Sequence, residues 1–295
     1  MNKTKIEWVK NPDGSQGYTH NPMSGCKNHT PEGLCLGGLF PCYAWKLAHT
    51  RLKQRYLANG LLAPIQQDGL WHYPQGEIAK EIRFDPFYPR FWENRLQELE
   101  RRIESLDRHR YIGQKPMGIF PCDMGDLFGI GIPEEWTRRI LDATKRNAYD
   151  RFYLLTKQPQ NLPQFSPFPD NCWVGVTVTN KTMYPQALAG LNAIEARIKY
   201  ISFEPLLSPI PVLFSYAFDK SDIQWLIIGA QTKPYKPPEI EWVREIVEAA
   251  DKAGIKVFLK DNLLPLIQPL MKVPNMSWFG NVFGLRQEMP PIPSE

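Results

Sequence analysis

FYLLTKQPQNLPQFSPFPDNCWVGVTVTN, residues 152–180, decides the fold. It holds two apolar runs of strand length, Phe152–Leu155 and Trp173–Val178, each ending abruptly in polar residues, Thr156 and Lys157 after the first, Thr179 and Asn180 after the second. The same pattern recurs outward in both directions. Further apolar runs stand at Met117–Pro121, Ile198–Phe203, Trp225–Gly229 and Val257–Leu259, and Gly17–Asn21 adds a first strand before them. Helical spacing fills the intervals at Pro133–Arg146, Met183–Ala196 and Ile240–Ala253, with earlier helices predicted at Ala44–Asn59 and Phe91–Arg108. About seven strands in strand-then-helix order predict an α/β fold with a complete or partial parallel (β/α) barrel.

In such sheets the chemistry sits at the carboxyl ends of the strands. Polar groups follow the apolar runs at Asp123 and Asp126, Thr156 and Lys157, Thr179 and Asn180, Glu204, Gln231, and Lys260, Asp261 and Asn262. One polar residue after a strand is an ordinary cap or turn residue. Their recurrence after nearly every strand predicts a shared polar pocket. No catalytic residue follows from the pattern.

The 295 residues, 43% of them hydrophobic, suffice for one large core, and residues 1–295 read as a single domain. A Pro-, Gly- and aromatic-rich stretch without sustained period is an expected insertion at 61–90. No run approaches the roughly 18 apolar residues of a membrane span, and the N-terminus lacks an apolar signal core, so a cytoplasmic protein with no membrane partner is expected. A formal charge of +4, spread without dense runs, allows a nucleic-acid partner without indicating one.

Three of the five cysteines lie within seventeen residues, Cys26, Cys35 and Cys42, in GCKNHTPEGLCLGGLFPCYA at residues 25–44. This crowding does not resemble a secreted disulfide framework. Three thiolates on one loop suit a soft metal. They match three irons of a 4Fe-4S cluster with the fourth left open. Zinc is the alternative, with His29 completing a closed Cys3His shell, and unliganded structural cysteines are a third reading. Cys122 and Cys172 fall in or beside strands and read as small buried hydrophobes. Tyr43 either walls the metal from water or packs as an ordinary helix residue.

Several ordered blocks carry a resemblance beyond the cysteines: KIEW (5–8), THNPMSGC (19–26), PCYA (41–44), RFDPFYP (83–89), CDMGDLF (122–128), LLTKQPQNL (154–162), NCWVGVTVTN (171–180), SFEPLL (202–207), IQWLIIGAQTKP (223–234) and GIKVFLKDN (254–262). Together they resemble a three-cysteine-motif family of largely unknown function, common in phages and mobile elements and regarded as related to radical S-adenosylmethionine enzymes. The usual cysteine gaps there are three and two residues; here they are eight and six. A glycine-rich motif after the second strand is also absent, the segment reading CDMGDLF.

The resemblance implies a barrel of the radical S-adenosylmethionine type with an N-terminal cysteine loop, a 4Fe-4S cluster on Cys26, Cys35 and Cys42, and S-adenosylmethionine as second cofactor. It implies a 5′-deoxyadenosyl radical acting on an unidentified substrate, with an external electron donor. Asp123 and Asp126 are then candidates for the methionyl amino group or ribose hydroxyls. Asn180 and Glu204 are candidates for polar cofactor or substrate edges, and Lys157 and Lys260 for a carboxylate or phosphate. Two other functions stand beside this one: a noncatalytic zinc- or cluster-stabilised binding protein of a mobile element, and a radical enzyme that modifies or repairs nucleic acid.

Overall fold

Each predicted apolar run becomes a strand of one sheet in the computed structural model, which describes residues 1–67, 70–109, 113–211, 222–268, 277–281 and 284–291. Seven strands lie side by side in chain order and all parallel: Tyr18–His20, Gly118–Pro121, Arg151–Thr156, Cys172–Thr177, Ile198–Phe203, Ile223–Ile228 and Lys256–Leu259. An eighth, Asn2–Lys3, pairs antiparallel on the outer edge of Tyr18–His20 and had no apolar signal to reveal it. The chain is thus mixed α/β with a mostly parallel sheet of eight strands. Its two edge strands do not pair with each other, so the expected barrel is not closed among the described residues.

Side-chain alternation builds two cores. Phe152, Leu154, Cys172, Val174, Ile201, Phe203, Leu226 and Val257 face the helices and pack with Ile140, Leu191, Val243 and Ile246. The alternate positions Tyr153, Trp173, Tyr200, Trp225 and Phe258 form a second, largely aromatic core on the opposite face. Trp8, 1% exposed, is inserted into it. Its ring centroid is 5.3 Å from Phe120 and 6.0 Å from Trp225. The strands bearing those two rings are four intervals apart, about 19 Å in a flat sheet. One indole touching both requires the sheet to curve around it.

The helices are shorter or more broken than their sequence patterns. Ala44–Asn59 resolves into Tyr43–His49 and Lys53–Leu57, because the Thr50 hydroxyl donates to the Lys46 carbonyl at 2.6 Å and Leu52 N–H reaches back to Leu47 O. The remaining four form at Glu93–His109, Glu134–Arg146, Tyr184–Asn192 and Ile240–Lys252. Pro133 precedes its helix as the cap instead of opening it.

The insertion is ordered within its described residues, from which positions 68–69 fall out. It comprises a hairpin of Ile65–Gln67 with Leu70–His72 and a helix Gly76–Phe84 with no buried residue. Its last part is anchored by Arg90, fully buried, whose guanidinium donates to the carbonyls of Asn59, Asp85, Tyr88 and Arg83.

Candidate metal centre

Cys26 leaves the short strand Met23–Ser24, which pairs with Arg90–Phe91. At Gly25, φ +89°, any Cβ would meet the carbonyl oxygens of Phe87 and Tyr88 at 2.6 Å. Only glycine lets the chain pass so close, and Cys26 N–H then donates to Phe87 O at 3.1 Å. Cys35 and Cys42 flank a small hairpin, Leu34–Cys35 against Phe40–Pro41, closed by Leu39 N–H to Cys35 O at 2.7 Å. Cys42 is the residue from which the helix Tyr43–His49 starts, and its N–H donates to Gly33 O.

This loop lies across the carboxyl ends of the parallel strands. The hairpin tip is pinned where Thr179 Oγ1 donates to Gly37 O at 2.6 Å, directly after the strand Cys172–Thr177. Gly25 bridges Gly125 in the loop after Gly118–Pro121, and Gly25 N–H donates to Met124 O at 2.9 Å. Tyr43, half-exposed, donates its hydroxyl to Asp123 O. The ends of Gly118–Pro121 and Cys172–Thr177 therefore carry the cysteine loop.

The three thiols influence one another's ionisation there. Burial pushes Cys26 up to about 12, with the nearby Asp126 carboxylate and the other two thiols adding to the rise. Burial also raises Cys42, Cys35 raises it further, and the amides of Trp45 and Ala44 together with Lys157 pull it back. Thiols this costly to ionise together are stabilised as thiolates by a bound cation. His29 Nδ1 lies 2.8 Å from Thr30 O and its ring leans on Phe87. Among the described residues no three His, Cys, Asp or Glu side chains gather as ligands of one ion. A closed zinc site needs donors converging on one point at about 2.0–2.3 Å. A four-iron cluster takes each thiolate on a separate iron, so the donors surround a shared space without converging, and the donor set fits that group.

The predicted pocket residues separate by what their atoms already hold. Asp126 is buried and fully used: its carboxylate accepts from Thr156 Oγ1 at 2.7 Å, Lys157 N–H at 2.9 Å and Phe128 N–H at 3.1 Å. Asn180 Oδ1 accepts from the N–H groups of Thr182 and Met183 and from the Thr182 hydroxyl, which starts the next helix. Lys157 runs against Gly37, toward the cysteines. Asp123 accepts from Asn21 Nδ2 at 2.6 Å, and burial raises its pKa. Lys260 donates to Glu204, whose other oxygen lies 3.3 Å from the Trp8 indole nitrogen. Glu7 joins this group by accepting from Asp261 N–H at 2.7 Å, and burial raises its pKa too.

Cys122 and Cys172 are buried in the helix-side core, with Cys172 Sγ 3.3 Å from Thr144 Oγ1. Burial pushes both thiols up to about 12. Thr156, Thr179, Asp261 and Asn262 lie at the same sheet end; Asn262 bonds both backbone groups of Ala230. Gln231 instead turns into a small hairpin with Tyr235–Lys236. The sequence pattern missed Trp8, Glu7, Asn21 and the glycines at 25, 37 and 125. The KIEW, THNPMSGC and CDMGDLF blocks and the paired glycines between Cys35 and Cys42 hinted at them without assigning a role.

The family described as protein of unknown function DUF5131 matches residues 3–262. The chain belongs to this family. The DUF5131 match takes in the cysteine loop and runs to Asn262, past the last parallel strand. No curated protein matches the chain. Among solved structures, a spore photoproduct lyase variant with bound AdoMet and a dinucleoside spore photoproduct is similar over 83% of this chain at 14% identity, with a TM-score of 0.41. The chain spans 63% of that protein's length. No helix among the described residues is long and apolar enough to cross a membrane.

Proposed function

We propose that this DUF5131 chain is an iron-sulfur enzyme of the radical S-adenosylmethionine type, acting on an unidentified substrate with an external electron donor. The observation that carries the reading is the placement of one loop with three cysteines, one short of a saturated four-iron cluster, across the polar carboxyl ends of a parallel sheet. Cys26, Cys35 and Cys42 would hold the cluster. Bound there, the cluster would supply the one-electron reduction of S-adenosylmethionine that such enzymes use.

The chain's own residues supply placement and shielding. Met124 O, accepting from Gly25 N–H, and Thr179 fix the loop against two strand ends, and Tyr43 closes its outer side against Asp123 O. Asp123, Glu204 and Lys260 keep polar atoms at the open end and are the groups we assign to the methionyl and ribose edges of the cofactor or to the substrate. The aromatic core behind Trp8 keeps water from the space beneath.

Anaerobic reconstitution with iron and sulfide, followed by incubation with dithionite and S-adenosylmethionine, tests the reading. About four irons per chain and 5′-deoxyadenosine on chromatography are expected, and both should disappear in the Cys26→Ala, Cys35→Ala and Cys42→Ala proteins. A colourless protein with one tightly held zinc would replace this function with a metal-stabilised binding role. An intact cluster that neither binds nor cleaves the cofactor would do the same.

A further inference from the structure

We infer that Lys157 is the fixed counter-ion of the cysteine loop, holding its charge toward the three thiolates and away from any substrate. The inference rests on the iron-sulfur reading above and gives Lys157 a different task from the carboxylate or phosphate its position after a strand suggests.

The geometry begins at the backbone. Lys157 N–H donates to Asp126 Oδ2 at 2.9 Å, and Asp126 is itself held by Thr156 Oγ1 and Phe128 N–H, so the first atom of the residue is placed by three hydrogen bonds at its anchor. From there the stem crosses the hairpin between Cys35 and Cys42. Its Cδ lies 3.0 Å from the position a Cβ on Gly37 would occupy, and Cys35 Sγ lies 3.6 Å from that same position. The Nζ ends 6.0 Å from the centre of the Phe40 ring, on the hairpin's other strand. The lysine stem is therefore threaded beside the sulfur of Cys35 through space that exists because residue 37 has no side chain.

Its charge interacts with Cys35, Cys42 and Cys26 and with Asp126. The cation next to Cys26 in sequence, Lys27, points elsewhere, with its Nζ 4.9 Å from the Tyr88 ring. Burial opposes a lone ammonium, and what offsets that cost here is the negative charge of the cysteines and of Asp126. Adding one electron to a cluster on these thiolates adds one negative charge and breaks no bond. A fixed cation beside the loop stabilises the reduced form more than the oxidised one and raises the reduction potential.

The test is potentiometric titration of the reconstituted protein with dithionite as reductant, the reduced cluster read by electron paramagnetic resonance and iron measured chemically. For Lys157→Gln we expect the reduced-to-oxidised ratio at a fixed potential to fall at least tenfold, about 59 mV for a one-electron couple. Lys157→Arg should stay within about threefold of the native protein. If Lys157→Gln loses iron, restoration by Lys157→Arg supports the counter-ion, and loss in both variants overturns it. Full iron and an unchanged potential in Lys157→Gln overturn this inference while leaving the cluster reading intact; a native protein that takes up no iron overturns both.

Discussion

Gly25 and Gly125 face each other so closely that a Cβ on Gly125 would fall 2.7 Å from the Gly25 carbonyl oxygen. The contact joins the cysteine loop to the loop bearing Asp123 and Asp126, and Gly25 N–H to Met124 O is its hydrogen bond. The obstructing atoms are backbone, so they yield only by separating the two loops. Gly125→Ala should destabilise the fold by about 1–3 kcal/mol, as overpacking does. It should also lower iron retention on gel filtration after reconstitution. Native stability in urea together with native iron content would show that the two loops are not mechanically joined.

Trp8 is the centre of the aromatic core, in ring contact with Phe120, Tyr153, Tyr200 and Trp225. Truncation to alanine should cost about 3–5 kcal/mol in urea unfolding. Phenylalanine restores most of the apolar volume and removes the indole N–H from Glu204. Trp8→Phe should therefore recover most of the stability while changing ligand affinity at Glu204. A Trp8→Ala protein as stable as the native one would mean the sheet does not depend on this ring for its curvature.

His20 ties stability to pH. Its ring is buried, its Nε2 lies 2.8 Å from Arg95 O, and burial lowers its pKa from 6.5 to about 4. Above pH 6.5 both folded and unfolded states are neutral and the full stability is present. As pH falls below 6.5 the unfolded chain takes up a proton that the folded chain refuses, so stability drops until the folded pKa is passed near 4. Between pH 7.5 and 5 this amounts to about 2 kcal/mol. Urea unfolding at the two pH values should show the loss in the native protein and a smaller one in His20→Gln. Equal losses would place the pH dependence on other groups.

The strand order was legible because parallel strands buried on both faces leave long apolar runs, as Cys172–Thr177 and Ile198–Phe203 do. Asn2–Lys3 was not, since a two-residue exposed edge strand carries no apolar pattern. The break at Thr50 depended on a side chain competing for a helix carbonyl, which the spacing of Leu47, Leu52 and Tyr56 does not record. At the site, the sequence located the cysteines and the strand-end polar groups but not their commitments. Asp126 and Asn180 look alike in sequence to Asp123 and Glu204. What separates them is how many backbone amides each carboxylate or amide oxygen already holds, and that depends on loops distant in sequence.

Glu204 and Lys260 decide whether the open end is a ligand site or part of the frame. Their ion pair is partly buried, with side chains 27% and 10% exposed, and Trp8 and Glu7 stand beside it. Glu204→Gln leaves the ammonium with only the weaker influence of Glu7 and Asp261 and should cost about 2–3 kcal/mol, reduced from a fully buried pair by the water that reaches Glu204. Lys260→Met should cost less, because Glu204 keeps the Trp8 N–H and its exposed edge. If the pair also contacts the cofactor, each variant should lower S-adenosylmethionine affinity at least tenfold in anaerobic equilibrium dialysis of the reconstituted protein, about 1.4 kcal/mol. The two effects are separable, since stability ranks the variants and affinity should fall in both. Affinity unchanged in both variants, with the expected stability losses present, would assign the pair to the frame and leave Asp123 as the carboxylate at the cofactor.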